Sequence, residues 1–185
     1  MLSEIYQTLE YRNNNDYIER EGPFQCTLSN AWLGDGYYFW DTFIYYAHMW
    51  GVNSYQSSGY VICKSLVDLN KFDVYDLECP RRLLEFRKIR DILKKQYPEE
   101  IITASYVINY LRDKMPSFNF KAIRARGISD NKFKKTDRYI KYVSTRQSYL
   151  DTLPQIQICI LDKNIIGKNN FKIVYEEPTI SHINI

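Results

Sequence analysis

The segment Trp32-Leu33-Gly34-Asp35-Gly36-Tyr37-Tyr38-Phe39-Trp40-Asp41 decides the fold of this chain. Two glycines separated by one residue predict a tight turn, and the aromatic run behind them predicts a strand. Asp41-Thr42 is typical of a helix start. The apolar residues that follow recur at the spacing of one helix face: Phe43, Tyr46, Ala47 and Trp50. We therefore expect a turn, a strand and a helix that ends at Gly51.

Further strands and helices are predicted on both sides of this segment. Strands are expected to end near Tyr6, to lie within 59–69, and to cover 120–124, 156–161 and 171–175. A helical turn is predicted at 17–20, a helix from Pro80 to about Gln96, and another capped by Thr103. In the helix after Pro80, these residues are expected to face the core: Leu83, Leu84, Phe86, Ile89 and Leu93. The pattern predicts a single α+β domain over residues 1–185.

The composition excludes several classes of protein. Hydrophobic residues make up 45% and charged residues 25%, which excludes a disordered, collagen-like or coiled-coil chain. The net charge of +3 is far below that of a dedicated nucleic-acid binder. Only two histidines occur, His48 and His182, so a His-rich metal site is excluded and no metal is expected. Aromatic residues are in excess at 16%, and many of them fall between residues 37 and 50.

The sequence also predicts a compartment. Its first residues have no basic and apolar signal pattern, and no apolar run approaches the ~20 residues of a membrane span. The cysteines are widely separated and form no CxxC pair: Cys26, Cys63, Cys79 and Cys159. We therefore expect reduced thiols, a cytoplasmic location and no membrane partner.

Separate motifs resemble one family. Gly34 to Asp41, with Ala47 six positions later, resembles the G-x-G-[IF]-Y-F-x-[DS] strand and following helix of diphtheria-type, poly(ADP-ribose) polymerase-like ADP-ribosyltransferases. The run Gln157-Ile158-Cys159-Ile160-Leu161-Asp162 resembles the strand E-Y-[IV]-[IV]-Y-D, which supplies that family's third catalytic position. The helical turn from Ile18 to Gly22 resembles its I-x-x-x-G step. The pieces occur in the family's order.

The resemblance implies a fold and an activity. The fold would be α+β, with split, mostly antiparallel β-sheets that form a cleft, and the stretch at about 76–150 would be a helical and basic insertion. The activity would be NAD-dependent transfer of one ADP-ribose to a macromolecular acceptor, either protein or RNA. Small members of the family are often toxins or defence effectors.

The resemblance also assigns candidate site residues. Tyr6-Gln7-Thr8 stands where the family carries Y-H-[GT]-[TS], so Gln7 replaces the histidine, while Tyr11-Arg12 is the alternative match. Gln157 replaces the family's glutamate, as in members that transfer a single ADP-ribose. The family's second stacking tyrosine corresponds to Met49.

Each candidate has an expected role by this resemblance. The catalytic residues would be Gln157, Tyr38 and Gln7; the residues that bind NAD would be Thr8, Gly36, Tyr38, Tyr46 and Trp50. Aromatic faces suit the flat, cationic nicotinamide ring. Cleavage of its bond to ribose passes through an oxocarbenium-like state, which Gln157 would help to stabilise.

Two alternatives stay open. In the first, the chain is an inactive module of the same fold that binds NAD, ADP-ribose or nucleic acid. In the second, the aromatic strand serves only to pack the core. The segment 124–146 is either a solvated basic loop or a nucleic-acid-binding surface, since basic residues alternate there with Phe133, Tyr139 and Tyr142. Its cations are Arg124, Arg126, Lys132, Lys134, Lys135, Arg138, Lys141 and Arg146.

Overall fold

A computed structural model describes residues 2–28, 31–127 and 138–178. Its strands and helices occur in the order β1 (Ser3–Glu10), α1 (Asn15–Glu21), β2 (Tyr37–Asp41), α2 (Ile44–Ser54), β3 (Gly59–Val67), β4 (Val74–Asp76), α3 (Pro80–Gln96), α4 (Ala104–Lys114), β5 (Ala122–Arg126), β6 (Tyr139–Lys141), β7 (Tyr149–Asp151), β8 (Ile156–Ile160) and β9 (Lys172–Pro178). This mixture of strands and helices confirms the α+β class.

Seven of the strands form one mixed sheet in the order β4-β5-β8-β2-β1-β3-β9. Neighbours are antiparallel except for β4 and β5, which run parallel. β6 and β7 pair as a separate two-stranded ribbon. β5 falls inside the stretch 76–150, yet it is an inner strand of the main sheet, so part of that stretch belongs to the core of the fold.

The main sheet divides beside Gln7. β1 and β2 pair only at Ile5–Asp41 and Tyr6–Trp40. From Gln7 onward, β1 pairs with β3 alone, and the part of β2 before Trp40 pairs with β8 alone. The two halves of the sheet therefore share a short contact and then separate.

The faces of the sheet are covered differently. On one face a single core contains α1 and residues of β1, β2, β3, β5 and β8. On the other face α2 packs over β1 and β3 through Tyr46 and Ala47, while α3 and α4 cover β4, β5 and β8. Tyr38 and Trp40 lie on this second face, because side chains two apart on a strand share a face. A cleft between the two groups of helices therefore reaches both side chains.

Local signals predicted the bounds of α3 and the start of α4, whereas β1 continues past the expected end near Tyr6 to Glu10. α3 begins at Pro80 and ends at Gln96, and the Thr103 hydroxyl accepts a hydrogen bond from the Tyr106 N–H at the start of α4. The expected helix end at Gly51 is wrong, since α2 continues to Ser54. Gly51 instead lets α2 approach β3, because an added Cβ would lie 2.3 Å from the Tyr60 ring.

Other expectations fail where long-range contacts decide. Asp41 does not cap α2, because its carboxylate pairs with Arg124 at 2.8 Å. Leu83 and Leu84 are 48% and 55% exposed rather than buried, because the inner side of α3 packs through Leu93. β4 and the ribbon of β6 and β7 were not predicted from the sequence.

Two further observations bear on the sequence-based predictions. All four cysteines are free thiols, as expected: Cys26, Cys63, Cys79 and Cys159. Burial raises the pKa of the Cys63 and Cys159 thiols to about 12. Within the described part of the chain, no helix has the length and the apolar character needed to cross a membrane.

Candidate functional site

Two adjoining cavities form a cleft on the second face of the sheet. The large chamber has a volume of about 440 Å³ and the small chamber about 270 Å³. They share the lining residues Trp32, Trp40, Trp50 and Gln157. The three tryptophans are all that the chain contains. The single stretch 32–50 therefore places every indole ring around one cleft.

Trp32 and Gln157 connect the two sides of the cleft. The Trp32 indole N–H donates to the Gln157 side-chain oxygen at 2.6 Å. Gln157 lies opposite Trp40 in the β2–β8 pairing, and the Trp40 ring packs on Tyr46 with ring centroids 5.4 Å apart. The Gln157 amide nitrogen has no hydrogen-bond partner among the described residues, so its N–H donors stay available to a ligand.

Gln7 lies where the sheet divides, and its amide replaces missing strand pairing. It is 6% exposed. Its oxygen accepts the Phe24 N–H at 3.0 Å, and its nitrogen donates to the Phe24 carbonyl at 2.8 Å and to the Tyr38 carbonyl at 3.3 Å. Gln7 lines the large chamber, but the backbone occupies its amide. The side chain therefore fixes the wall of the cleft.

Tyr38 lines the large chamber and also holds the glycine turn. Its hydroxyl accepts the Leu33 N–H at 2.8 Å and donates to the Gly34 carbonyl at 2.9 Å. Burial raises the pKa of this hydroxyl well above its usual range, so it remains protonated. Gly34 has φ +78°, and Arg112 donates to the Asp35 carbonyl at 2.9 Å. These contacts place Trp32 over the cleft.

The remaining predicted site residues divide into two groups. Thr8 lines the large chamber, Tyr46 the small one and Trp50 both. The Thr8 hydroxyl donates to the Ala47 carbonyl at 2.8 Å, which joins β1 to α2. Gly36 does not line the cleft. Its missing side chain serves packing, because a Cβ there would lie 2.4 Å from Cys159 Sγ.

Sequence reasoning missed several lining residues. Met49, which stands at the second stacking position, lines the small chamber together with Asn53, Gln155 and Gly127. Period-two alternation was a usable signal for Gln155, because it precedes Gln157 by two residues and shares its side of the chain. Trp32 and Asn53 gave no such signal, since each reaches the cleft only through tertiary packing.

The described lining of the cleft carries no charged side chain in either chamber. The polar lining combines Thr and Tyr hydroxyls with side-chain amides, which belong to Gln7, Gln25, Asn53, Gln155 and Gln157. The described residues also contain no cluster of three or more His, Cys, Asp or Glu side chains suited to a metal. Such a lining suits a flat, polar heterocycle better than a compact ion.

The charged groups lie elsewhere. Arg124 pairs with Asp41 at 2.8 Å and with Asp76 at 3.3 Å. Arg126 and Arg138 also pair with carboxylates, which are Glu78 at 2.6 Å and Asp151 at 2.7 Å, respectively. These arginines of the segment 124–146 therefore hold the framework together. Lys132, Lys134 and Lys135 lie outside the described residues.

No protein-family model, curated protein or solved structure matches this chain. Its function is therefore inferred from the residues of the cleft and from the sequence motifs.

Proposed function

We propose that this chain is an NAD-dependent mono-ADP-ribosyltransferase with the split fold of that family, acting on a macromolecular acceptor. One observation carries the proposal. Gln7, Tyr38 and Gln157, which the motifs single out from distant parts of the sequence, line the same chamber. That chamber lies where β1 and β2 separate.

The lining of the cleft supports a nicotinamide ligand. Nicotinamide in NAD is a flat cation, and aromatic faces attract such a ring by stacking and by cation–π interaction. Trp32, Trp40 and Trp50 supply such faces, and no described residue of the lining brings a competing cation. Side-chain amides match the carboxamide of nicotinamide, which both donates and accepts hydrogen bonds.

The proposed reaction is a substitution at the ribose carbon that bears nicotinamide. The carbon–nitrogen bond breaks, its electron pair goes to the nicotinamide ring, and neutral nicotinamide leaves. A lone pair of the acceptor forms the new bond to that carbon, and the acceptor's proton goes to water. Gln157 would orient the ribose by donating hydrogen bonds from its available amide N–H groups to the ribose hydroxyls.

Gln7 and Tyr38 have positioning roles in this proposal. The Gln7 amide is already bonded to the backbone at Phe24 and Tyr38, so it would shape the slot without contacting the reacting bond. The Tyr38 hydroxyl holds the turn that carries Trp32, so the ring and the hydroxyl would act separately. Thr8 would likewise set the distance between β1 and α2.

A second candidate function is binding without catalysis. It is favoured by the neutral lining, because no carboxylate or imidazole among the described residues lines either chamber. A transferase with this lining would need the acceptor itself or water to serve as the general base. The same cleft would hold NAD or ADP-ribose as a recognised ligand.

Release of nicotinamide separates the two candidates. Purified protein is incubated with NAD, and free nicotinamide is followed by chromatography. Transferase activity predicts release that falls about tenfold in Gln157→Ala, because the ribose loses one hydrogen bond that orients it. Gln96→Ala, an exposed position on α3, is the matched control and keeps full release.

Ligand binding is measured in parallel by quenching of tryptophan emission, since every indole lines the cleft. Quenching by NAD without nicotinamide release favours the binding module. Absence of both quenching and release contradicts the proposed function and the alternative together.

A further inference from the structure

We propose that the small chamber holds one base of a single-stranded nucleic acid, whose phosphates lie along the ribbon of β6 and β7. As the acceptor site of a transferase this rests on the proposed function, but the binding itself does not. The relevant observations are the chemistry of the small chamber, its connection to the ribbon, and the charge and exposure of the ribbon.

The small chamber matches a nucleobase in shape and polarity. Its volume of about 270 Å³ lies just below the roughly 300–1,000 Å³ typical of pockets for drug-sized ligands, so it fits one heterocycle. Indole rings supply stacking faces, and base–aromatic stacking contributes about 1–3 kcal/mol. The amides of Asn53, Gln155 and Gln157 line the same chamber. An amide donates and accepts hydrogen bonds, as the edge of a base requires.

The ribbon is attached to the rim of this chamber. Leu153, two residues after β7, packs against the cluster of Trp40 and Tyr46, and its carbonyl accepts the Tyr46 hydroxyl. Gln155 lies two residues after Leu153, and its carbonyl accepts a hydrogen bond from the Gly127 N–H at 2.9 Å. Arg138 closes the base of the ribbon with two hydrogen bonds to Asp151. A chain that leaves the chamber on this side therefore meets the ribbon.

The ribbon offers groups for phosphates and bases. Lys141 lies directly opposite Tyr149 in the strand pairing, so a cation and an exposed aromatic ring are adjacent. Arg146 is exposed in the connection between the strands, and Tyr142 is 64% exposed. Neither Lys141 nor Arg146 pairs with a carboxylate of the described residues. Unpaired cations beside aromatic rings suit a single strand, which presents both phosphates and unstacked bases.

A charged protein side chain fits the small chamber less well. An acidic or basic side chain would lose its hydration there and find no opposite charge among the described lining residues. A neutral base carries its charge on the backbone, outside the chamber. A duplex is disfavoured too, because a paired base must first leave the stack at a cost of a few kcal/mol.

The inference is tested with the full chain and labelled 12-mers of single-stranded RNA, single-stranded DNA and duplex DNA, without NAD. Fluorescence anisotropy is measured over a salt series. We expect binding of a single strand, with an affinity that falls as salt rises at a slope of about −0.7 per phosphate contacted. The duplex is expected to bind at least about tenfold more weakly.

Variants separate the ribbon from the chamber. Lys141→Ala with Arg146→Ala should weaken binding of all sequences and reduce the magnitude of the salt slope by about 0.7 for each lost contact. The matched control is Arg87→Ala with Lys88→Ala on the exposed side of α3, which should change neither quantity. Gln155→Ala and Asn53→Ala should instead change the preference among adenine, cytosine and uracil 12-mers by about tenfold, with the salt slope kept.

Several outcomes would overturn the inference. These are absence of salt-dependent binding to either single strand, equal binding of duplex, and equal losses in the ribbon and α3 variants. Thermal melting of each variant excludes unfolding as the cause. Nicotinamide release without oligonucleotide binding overturns this inference alone, whereas oligonucleotide binding without release contradicts only the transferase.

Discussion

The chain has two polar centres at the end of β2, and they differ in kind. On one side Asp41, 6% exposed, pairs with Arg124, which also holds Asp76. On the other side the adjacent Trp40 lines a cleft whose described polar groups are uncharged amides and hydroxyls. The charged centre satisfies its own groups, whereas the neutral centre leaves the Gln157 donors open. In this molecule the ion pairs of Arg124 join strands of the sheet, whereas uncharged polar groups line the cleft.

The largest expected effect tests the charged centre. Arg124→Met leaves the buried Asp41 carboxylate without its cation, and breaking a buried pair costs about 3 kcal/mol or more. Arg126→Met, whose side chain is 37% exposed, should cost less than about 1 kcal/mol. Urea unfolding measures both variants. Equal losses would mean that Arg124 is no more important to the framework than a surface pair.

A second comparison contrasts tight packing with open space. Gly36→Ala places a Cβ 2.4 Å from Cys159 Sγ and 2.8 Å from the Ile160 carbonyl, and such overpacking costs about 2 kcal/mol. Gly127→Ala on the rim meets no atom closer than 4.0 Å, so we expect no loss and a gain of about 0.5 kcal/mol. Thermal melting distinguishes the two variants. An unchanged melting temperature for Gly36→Ala would show that Cys159 and Ile160 can move to make room for the added methyl group.

A smaller effect sharpens the role of Tyr38. Tyr38→Phe keeps the ring but leaves the buried Leu33 N–H without its acceptor, at a cost of about 1–2 kcal/mol. Trp32 should then become more exposed, and its emission should shift to longer wavelength. Tyr37→Phe, the preceding position on β2, is the control and should change stability by less than about 0.5 kcal/mol. An unshifted emission spectrum would show that the Tyr38 hydroxyl does not determine the position of Trp32.

The smallest effect concerns pH. Hydrogen bonds from Arg138 lower the pKa of Asp151, and the Ile173 N–H lowers that of Glu19. A carboxyl whose pKa is lower in the folded state stabilises the fold above its unfolded pKa, about 3.9 for Asp and 4.3 for Glu, and this contribution is lost as pH falls further. We expect the melting temperature to decrease as the pH is lowered below about 4.

Quenching of tryptophan emission by NAD should stay constant from about pH 5 to 8, because no charged side chain is among the described lining residues of the cleft. A change of quenching with pH in that range would reveal an ionisable group in the cleft.

Local chemistry made much of the fold predictable. The bounds of α3 follow from Pro80 at its start, α4 begins where the Thr103 hydroxyl caps it, and β2 follows the glycine turn. These signals act over a few residues, so the sequence is sufficient to predict them. The resemblance of short motifs to one family, rather than such local signals, made Gln7, Tyr38 and Gln157 candidates.

Only the tertiary structure decided what those residues do. Trp32 meets Gln157 across 125 positions of sequence, and Gln7 bonds to Phe24 because β1 and β2 part beside it. The sequence alone determined the types of most elements, the aromatic surplus and the shortage of histidine, but not β4, β6 or β7. Strand order decided that the aromatic rings and amides converge in one cleft while the charges pair elsewhere, because pairing between distant strands depends on burial of the whole sheet rather than on any local pattern.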